Sequence, residues 1–163
     1  MTLEERSVQT DRMRFTQDTM SANLVLAAIV LDALYFVSIY NSDVSTWYYN
    51  WVLGASIICN LLFLLMAFLA SEGVKSRKTG FTIPLIALGA FQVVRIFYLP
   101  ALAHEATVVI AGNTIPVMDD GQYFYTIVCL AISAVCCVAA AVISAMNNKK
   151  LAEHMKSLET HSA

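Results

Sequence analysis

Four long apolar stretches, separated by short polar ones, set the pattern of this chain; they run near 22–40, 47–70, 81–99 and 123–146. Each is close to the roughly 20 residues that a helix needs to cross the hydrocarbon core of a bilayer. In lipid, every backbone N–H and C=O must find its partner within the segment, so all four are expected to be helical. The pattern predicts an all-α integral membrane protein. It is a single membrane domain over 1–163, built as a four-transmembrane-helix bundle with an N-terminal segment at 1–21 and a tail at 147–163.

The residues at the ends of the stretches add detail. Thr79 and Thr82 stand where they would cap the third helix, and Pro84 falls in its first turn, where a missing N–H costs little. Pro100 is expected to stop that helix. Asp119 and Asp120 precede the fourth helix, at the end of the dipole that favours negative charge. Within the connector at 100–122, β-branched runs at Thr107–Ile110 and Thr114–Val117 flank Ala111-Gly112-Asn113, which predicts a small β-hairpin. A lone hairpin is marginal in water and needs packing, here against the helix tops or a partner. Leu151, Met155 and Leu158 recur at helical spacing, so the fourth helix is expected to continue into the tail with an apolar stripe.

Charge then orients the bundle. Of the ten Lys and Arg residues, Arg6, Arg12 and Arg14 precede the first stretch, Lys75, Arg77 and Lys78 separate the second from the third, and Lys149, Lys150 and Lys156 follow the fourth. The connectors at 41–46 and 100–122 hold none, and Asp43, Glu105, Asp119 and Asp120 make them acidic. Basic residues stay on the cytoplasmic side, so both termini are expected inside the cell membrane and the hairpin outside. Every Tyr and both Trp (Trp47, Trp51) lie at or near the outer ends, as an interfacial aromatic belt would place them. A polar stretch precedes the first apolar run, so that run reads as a retained signal anchor rather than a cleaved signal peptide.

Composition excludes several classes. With 58% hydrophobic and 13% charged residues, the chain has too little polar sequence for a separate soluble domain. Its basic clusters are short and juxtamembrane, so no nucleic-acid partner is expected. Cys59, Cys129, Cys136 and Cys137 all fall within apolar stretches without metal-site spacing, and read as small hydrophobes. No phosphate-binding loop, nucleophile elbow or paired-His motif is present, and His104–Glu105 reads as a solvated pair. No enzyme activity, cofactor or metal is expected.

Asp32 and Arg95 are the candidate functional groups, because a charge inside a membrane span is a functional hypothesis by default. Asp32 lies eight residues before Tyr40, or roughly 12 Å at the helical rise, near the midplane. Arg95 lies four residues before Leu99, or roughly 6 Å from the outer end. Gln92 is one turn before Arg95, Tyr35 follows Asp32 by three residues, and Asn60 is near the middle of the second span. Three readings stay open: a structural Asp32–Arg95 pair aided by Asn60 and Gln92; Arg95 turned to the surface while Asp32 meets another subunit; or transport through a titrating or cation-binding Asp32. Small residues crowd the fourth span, and Ala134, Ala141 and Ala145 are the expected helix-packing or partner face. The leading expectation is a non-catalytic accessory or structural subunit of a larger membrane assembly, such as a transporter complex, partnered by lipid and by other membrane subunits or copies of itself. The alternative is a small homo-oligomeric transporter or channel using Asp32 and Arg95.

Overall fold

The computed structural model describes residues 17–40 and 51–161. The three N-terminal arginines, the short connector at 41–46 and Trp47 lie outside the described residues, as do Tyr48 and Tyr49. In chain order the elements are α1 (Thr19–Tyr40), α2 (Trp51–Lys75), a 3-10 turn (Thr79–Phe81), α3 (Thr82–Ile96), α4 (Leu99–Glu105), β1 (Thr107–Ile110), β2 (Asn113–Pro116) and α5 (Asp120–His161). Four helical segments are long and apolar enough to span a membrane: α1, most of α2, the run from the 3-10 turn through α4, and α5. This is the architecture of a membrane protein. Helix α1 packs along α2 and α5, and α3 packs along α5.

The distribution of polarity supports a lipid surround. On α1 the buried residues are Ser21, Ala22, Val25, Ala28, Asp32, Tyr35 and Ile39, which recur at three- and four-residue spacing as one helical stripe. Leu26, Val30, Leu34 and Val37 point outward. Asp32, Asn60, Ser71, Gln92, Thr126, Ser133 and Ser144 are all buried, whereas Ile58, Leu61, Leu62, Leu65, Phe97, Phe124 and Val135 are exposed. A water-soluble bundle would bury the large aliphatic side chains and solvate the polar ones. The reverse pattern is stable where lipid covers the apolar faces and the polar groups satisfy one another.

Two apolar clusters form the interior. One gathers Val25, Ala28, Phe63, Ala67, Leu85, Cys137 and Ala140. The other gathers Tyr35, Ile39, Leu99, Met118 and Leu130. Asp32, Gln92 and Ser133 each fall between a residue of the first cluster and one of the second, so a polar layer separates the two cores.

Several helix ends differ from their sequence expectation. Neither Thr79 nor Thr82 caps α3: the residue at its N-cap is Phe81, and no side chain bonds there. Instead the 3-10 turn leads directly into the helix, and the Phe81 ring covers Gly73, where any added Cβ would collide with it. Pro100 does not simply end the third helix. Helix α3 stops at Ile96, and Pro100 stands in the first turn of α4, where proline's fixed φ suits a helix start. The result is a break at Phe97–Tyr98 rather than a terminus. Asp119 does cap α5, its Oδ1 accepting from the Gln122 N–H at 2.7 Å. Helix α5 runs on to His161, through the tail.

The hairpin forms with a shift of one residue. Thr107 pairs with Pro116, Val108 with Ile115, Val109 with Thr114 and Ile110 with Asn113, leaving a two-residue turn. Ala111 (φ 52°) and Gly112 (φ 83°) both take positive φ, the requirement of a type I′ turn whose twist matches the strands. Asn113 therefore belongs to β2 and not to the turn.

Candidate functional site: a polar layer within the bundle

The structure brings Asp32, Asn60, Gln92 and Arg95 together. Arg95 Nη1 donates to Asp32 Oδ1 at 2.5 Å and to Gln92 Oε1 at 2.9 Å, and Arg95 Nη2 donates to Asn60 Oδ1 at 2.5 Å. Gln92 Nε2 donates to Asp32 Oδ1 at 2.9 Å and to Ser133 Oγ at 3.0 Å, while the Ser133 hydroxyl donates to the Ala28 carbonyl at 3.1 Å. Four long helices thus meet in one network: α1 through Asp32 and Ala28, α2 through Asn60, α3 through Gln92 and Arg95, and α5 through Ser133. The one-turn spacing of Gln92 and Arg95 puts both on the same face of α3, so a single helix supplies the hub.

Burial makes the network consequential. The Asp32 side chain is fully buried and that of Arg95 is 11% exposed. A charge near the centre of a bilayer costs at least about 2.5–3.5 kcal/mol, which a neutralising partner offsets. Aromatic rings complete the surround: the Arg95 guanidinium carbon lies 4.7 Å from the Tyr35 ring centre, 5.7 Å from that of Phe91 and 5.9 Å from that of Phe63. Such contacts between a cation and a ring face favour charge held away from water. Tyr35 is therefore an interior residue, 2% exposed, and not part of an outer belt. Two atoms of the cluster, Asp32 Oδ2 and Asn60 Nδ2, have no protein partner among the described residues.

A cavity of about 270 Å³ adjoins the network on the side of Arg95, between α1, α2 and α3. Of the expected packing residues on α5, Ala134 and Ala141 are buried and Ala145 is exposed. Ala134 faces Gly89 of α3, whose missing side chain lets the two backbones approach.

Other polar groups at the ends of the bundle have partners that sequence reasoning did not assign. Asp18 accepts at Oδ1 from the Ser21 N–H (3.1 Å) and at Oδ2 from the Ser21 hydroxyl (2.7 Å), capping α1. It also accepts from Asn147 Nδ2 at 2.9 Å, and its own N–H donates to the Lys75 carbonyl at 3.0 Å. Arg77 completes the clasp by donating to the Asn147 carbonyl at 3.2 Å. Arg77 sits at φ 52°, and the bonds Lys78 N–H to Gly73 O and Arg77 N–H to Val74 O make a Schellman ending to α2. The start of α1, the end of α2 and the middle of α5 are thus tied at the end that carries Lys75, Lys78, Lys149 and Lys150. Burial pushes the Asp18 pKa up, but the hydrogen bonds from Asn147 and Ser21, with the Arg77 charge, hold it below the usual carboxylate value. At the opposite end His104 is partly exposed and has neighbours other than Glu105. Its ring stacks on Tyr123 with centres 4.1 Å apart, and Nε2 lies 3.9 Å from Asp120 Oδ1.

No protein-family model, curated protein or solved structure matches the chain.

Proposed function

We propose that the protein is a non-catalytic, multi-pass subunit of the cell membrane, with its basic end and both termini in the cytoplasm, that serves a larger membrane assembly. The observation that carries this reading is the pairing of Asp32 with Arg95 inside the polar layer. The two charges inside the spans are spent on each other, and Asn60, Gln92 and Ser133 direct their hydrogen bonds to holding four helices in register. The outward face of Ala145, the exposed hairpin residues Val109 and Ile115, and the extension of α5 past the spans supply surfaces for neighbouring subunits.

The test is the composition of the native particle. The protein, tagged at its C-terminus and expressed from its own locus, is extracted in mild detergent and its particle mass measured. A stoichiometric foreign membrane subunit is the expected result, and a uniform homo-oligomer would overturn the reading. A second reading, a small homo-oligomeric transporter or channel, draws on the lone acceptor Asp32 Oδ2, which is available to a proton or cation. It expects Asp32→Asn to fold normally and to lose ion or solute flux in proteoliposomes.

A further inference from the structure

The cavity beside Arg95 has a chemistry of its own. Tyr35, Phe91 and Tyr98 supply ring faces, Ser56 a hydroxyl, Cys59 a thiol and Arg95 the edge of its guanidinium. Its walls come from the half of the bundle beyond Asp32: Arg95, Tyr98 and Leu99 on the third span, and Ala55, Ser56 and Cys59 near the start of α2. Val94 and Tyr98 are 64% and 53% exposed, and Cys59 is exposed too, so the cavity faces the bilayer as well as the network. A molecule would reach it by lateral diffusion within the leaflet.

Charge and size narrow the ligand. Arg95 commits three of its five N–H groups to Asp32, Gln92 and Asn60 and also engages Tyr35 on the cavity wall, so a visitor would share the remaining edge of the fork with the Tyr35 hydroxyl. Asp32 already matches the Arg95 charge, so an anion would bring an uncompensated charge into an apolar site. A neutral hydrogen-bond acceptor brings none. A cavity of about 150 Å³ is known to hold benzene, so the 270 Å³ here suits one substituted ring. We infer that this cavity is a binding site for an uncharged, lipid-soluble ring carrying carbonyl acceptors, of the quinone type, with its carbonyl toward Arg95 and its apolar tail in the bilayer.

Cys59 is the reporter. In lipid nanodiscs, the full-length protein is labelled with N-ethylmaleimide and alkylation at Cys59 is followed by mass spectrometry of its peptide. The probe is a fully substituted benzoquinone with a decyl tail, which cannot itself add to the thiol. At ten times its Kd it should slow labelling about elevenfold, following 1 + [L]/Kd, and saturably. Decanoate, with the same chain length and a negative charge, should protect little. Ala55→Phe fills the cavity; Ala55 is one turn from Cys59 on α2, so the added ring lowers labelling by itself, and against that lowered baseline the quinone should give no further protection. Asp32→Asn uncovers the Arg95 charge and should invert the preference toward decanoate. Equal protection by quinone and decanoate in the unaltered protein, protection that does not saturate, or none at all would overturn the assignment, whether or not either variant folds.

Discussion

Replacing Arg95 with methionine tests what the polar layer does. The substitution keeps most of the apolar stem and removes three hydrogen bonds, those to Asp32, Gln92 and Asn60. Interhelical bonds in membrane bundles average about 0.6 kcal/mol, so their simple loss amounts to only about 2 kcal/mol. The larger effect is the carboxylate left behind. Asp32 would remain fully buried near mid-span with a single donor, Gln92, on Oδ1. Breaking a buried pair in this way costs about 3–5 kcal/mol. Asp32→Asn should cost less, about 1.5–3 kcal/mol, the worth of hydrogen bonds to a charged group. Its stranded Arg95 has a long side chain that already borders the cavity beside Val94 and Tyr98 and can turn into it, whereas Asp32 has no such reach. The double variant strands neither charge, so it should be more stable than the sum of the single losses implies, by about 1–3 kcal/mol. Equilibrium unfolding in mixed micelles of increasing SDS, followed by helical circular dichroism, measures all four proteins. Additivity within about 0.5 kcal/mol, or an Arg95→Met protein as stable as the parent, would refute the pairing.

Three smaller changes probe the rest of the frame. Gly89→Ala would put a Cβ 2.9 Å from Val138 Cγ2 and 3.3 Å from the Ala134 carbonyl, so a loss of about 1–3 kcal/mol is expected in the same unfolding assay, with partial recovery on adding Val138→Ala. Asp18→Ala should cost about 0.5–2 kcal/mol through its capping role alone. Because the folded Asp18 pKa is depressed, its charge contributes stability that is fully present above the unfolded value of 3.8 and disappears as pH falls below that value through the folded one. The melting difference between the parent and Asp18→Asn should therefore be constant near neutral pH and shrink in acid; a difference that grows in acid would contradict the clasp. Ala111→Asn places a residue tolerant of positive φ at the first turn position and should stabilise the hairpin by about 0.5–1 kcal/mol, seen as slower amide exchange in β1 and β2.

How much of this was readable in the residues depends on how costly each one is out of place. A bilayer exacts so much for a backbone without internal hydrogen bonds that apolar length alone located the spans, and the observed helices overlap every one of the expected stretches. Asp32 and Arg95 stood out for the same reason, and their depths along parallel spans put them within reach of each other. Gln92 followed from its one-turn offset. Ser133 did not, because a hydroxyl in a membrane helix is cheap and common, and among eight small residues of that span nothing in composition singles out the one that faces Gln92. Asp18 carried a readable signal, an acid three residues before Ser21 and just ahead of an apolar run, yet its bond to Asn147 crosses 129 residues and no local pattern encodes it.

Three of the differences share one physical origin, which connects them to the site. Thr82, Pro100 and Asn113 are each compatible with two local roles, and tertiary packing selects the less common one. The 3-10 turn at Thr79–Phe81 runs straight into α3, so the helix start continues from that turn instead of from a threonine cap. Pro100 starting α4 lets the chain break at Phe97–Tyr98, one turn beyond the Arg95 hub. That break has a consequence for the polar layer. A straight continuation of α3 would carry Tyr98 and Leu99 upward along one axis, whereas the break lets Leu99 join the second apolar core while Tyr98 remains at the wall of the cavity. The opening beside Arg95 thus depends on the proline as much as on the residues that line it.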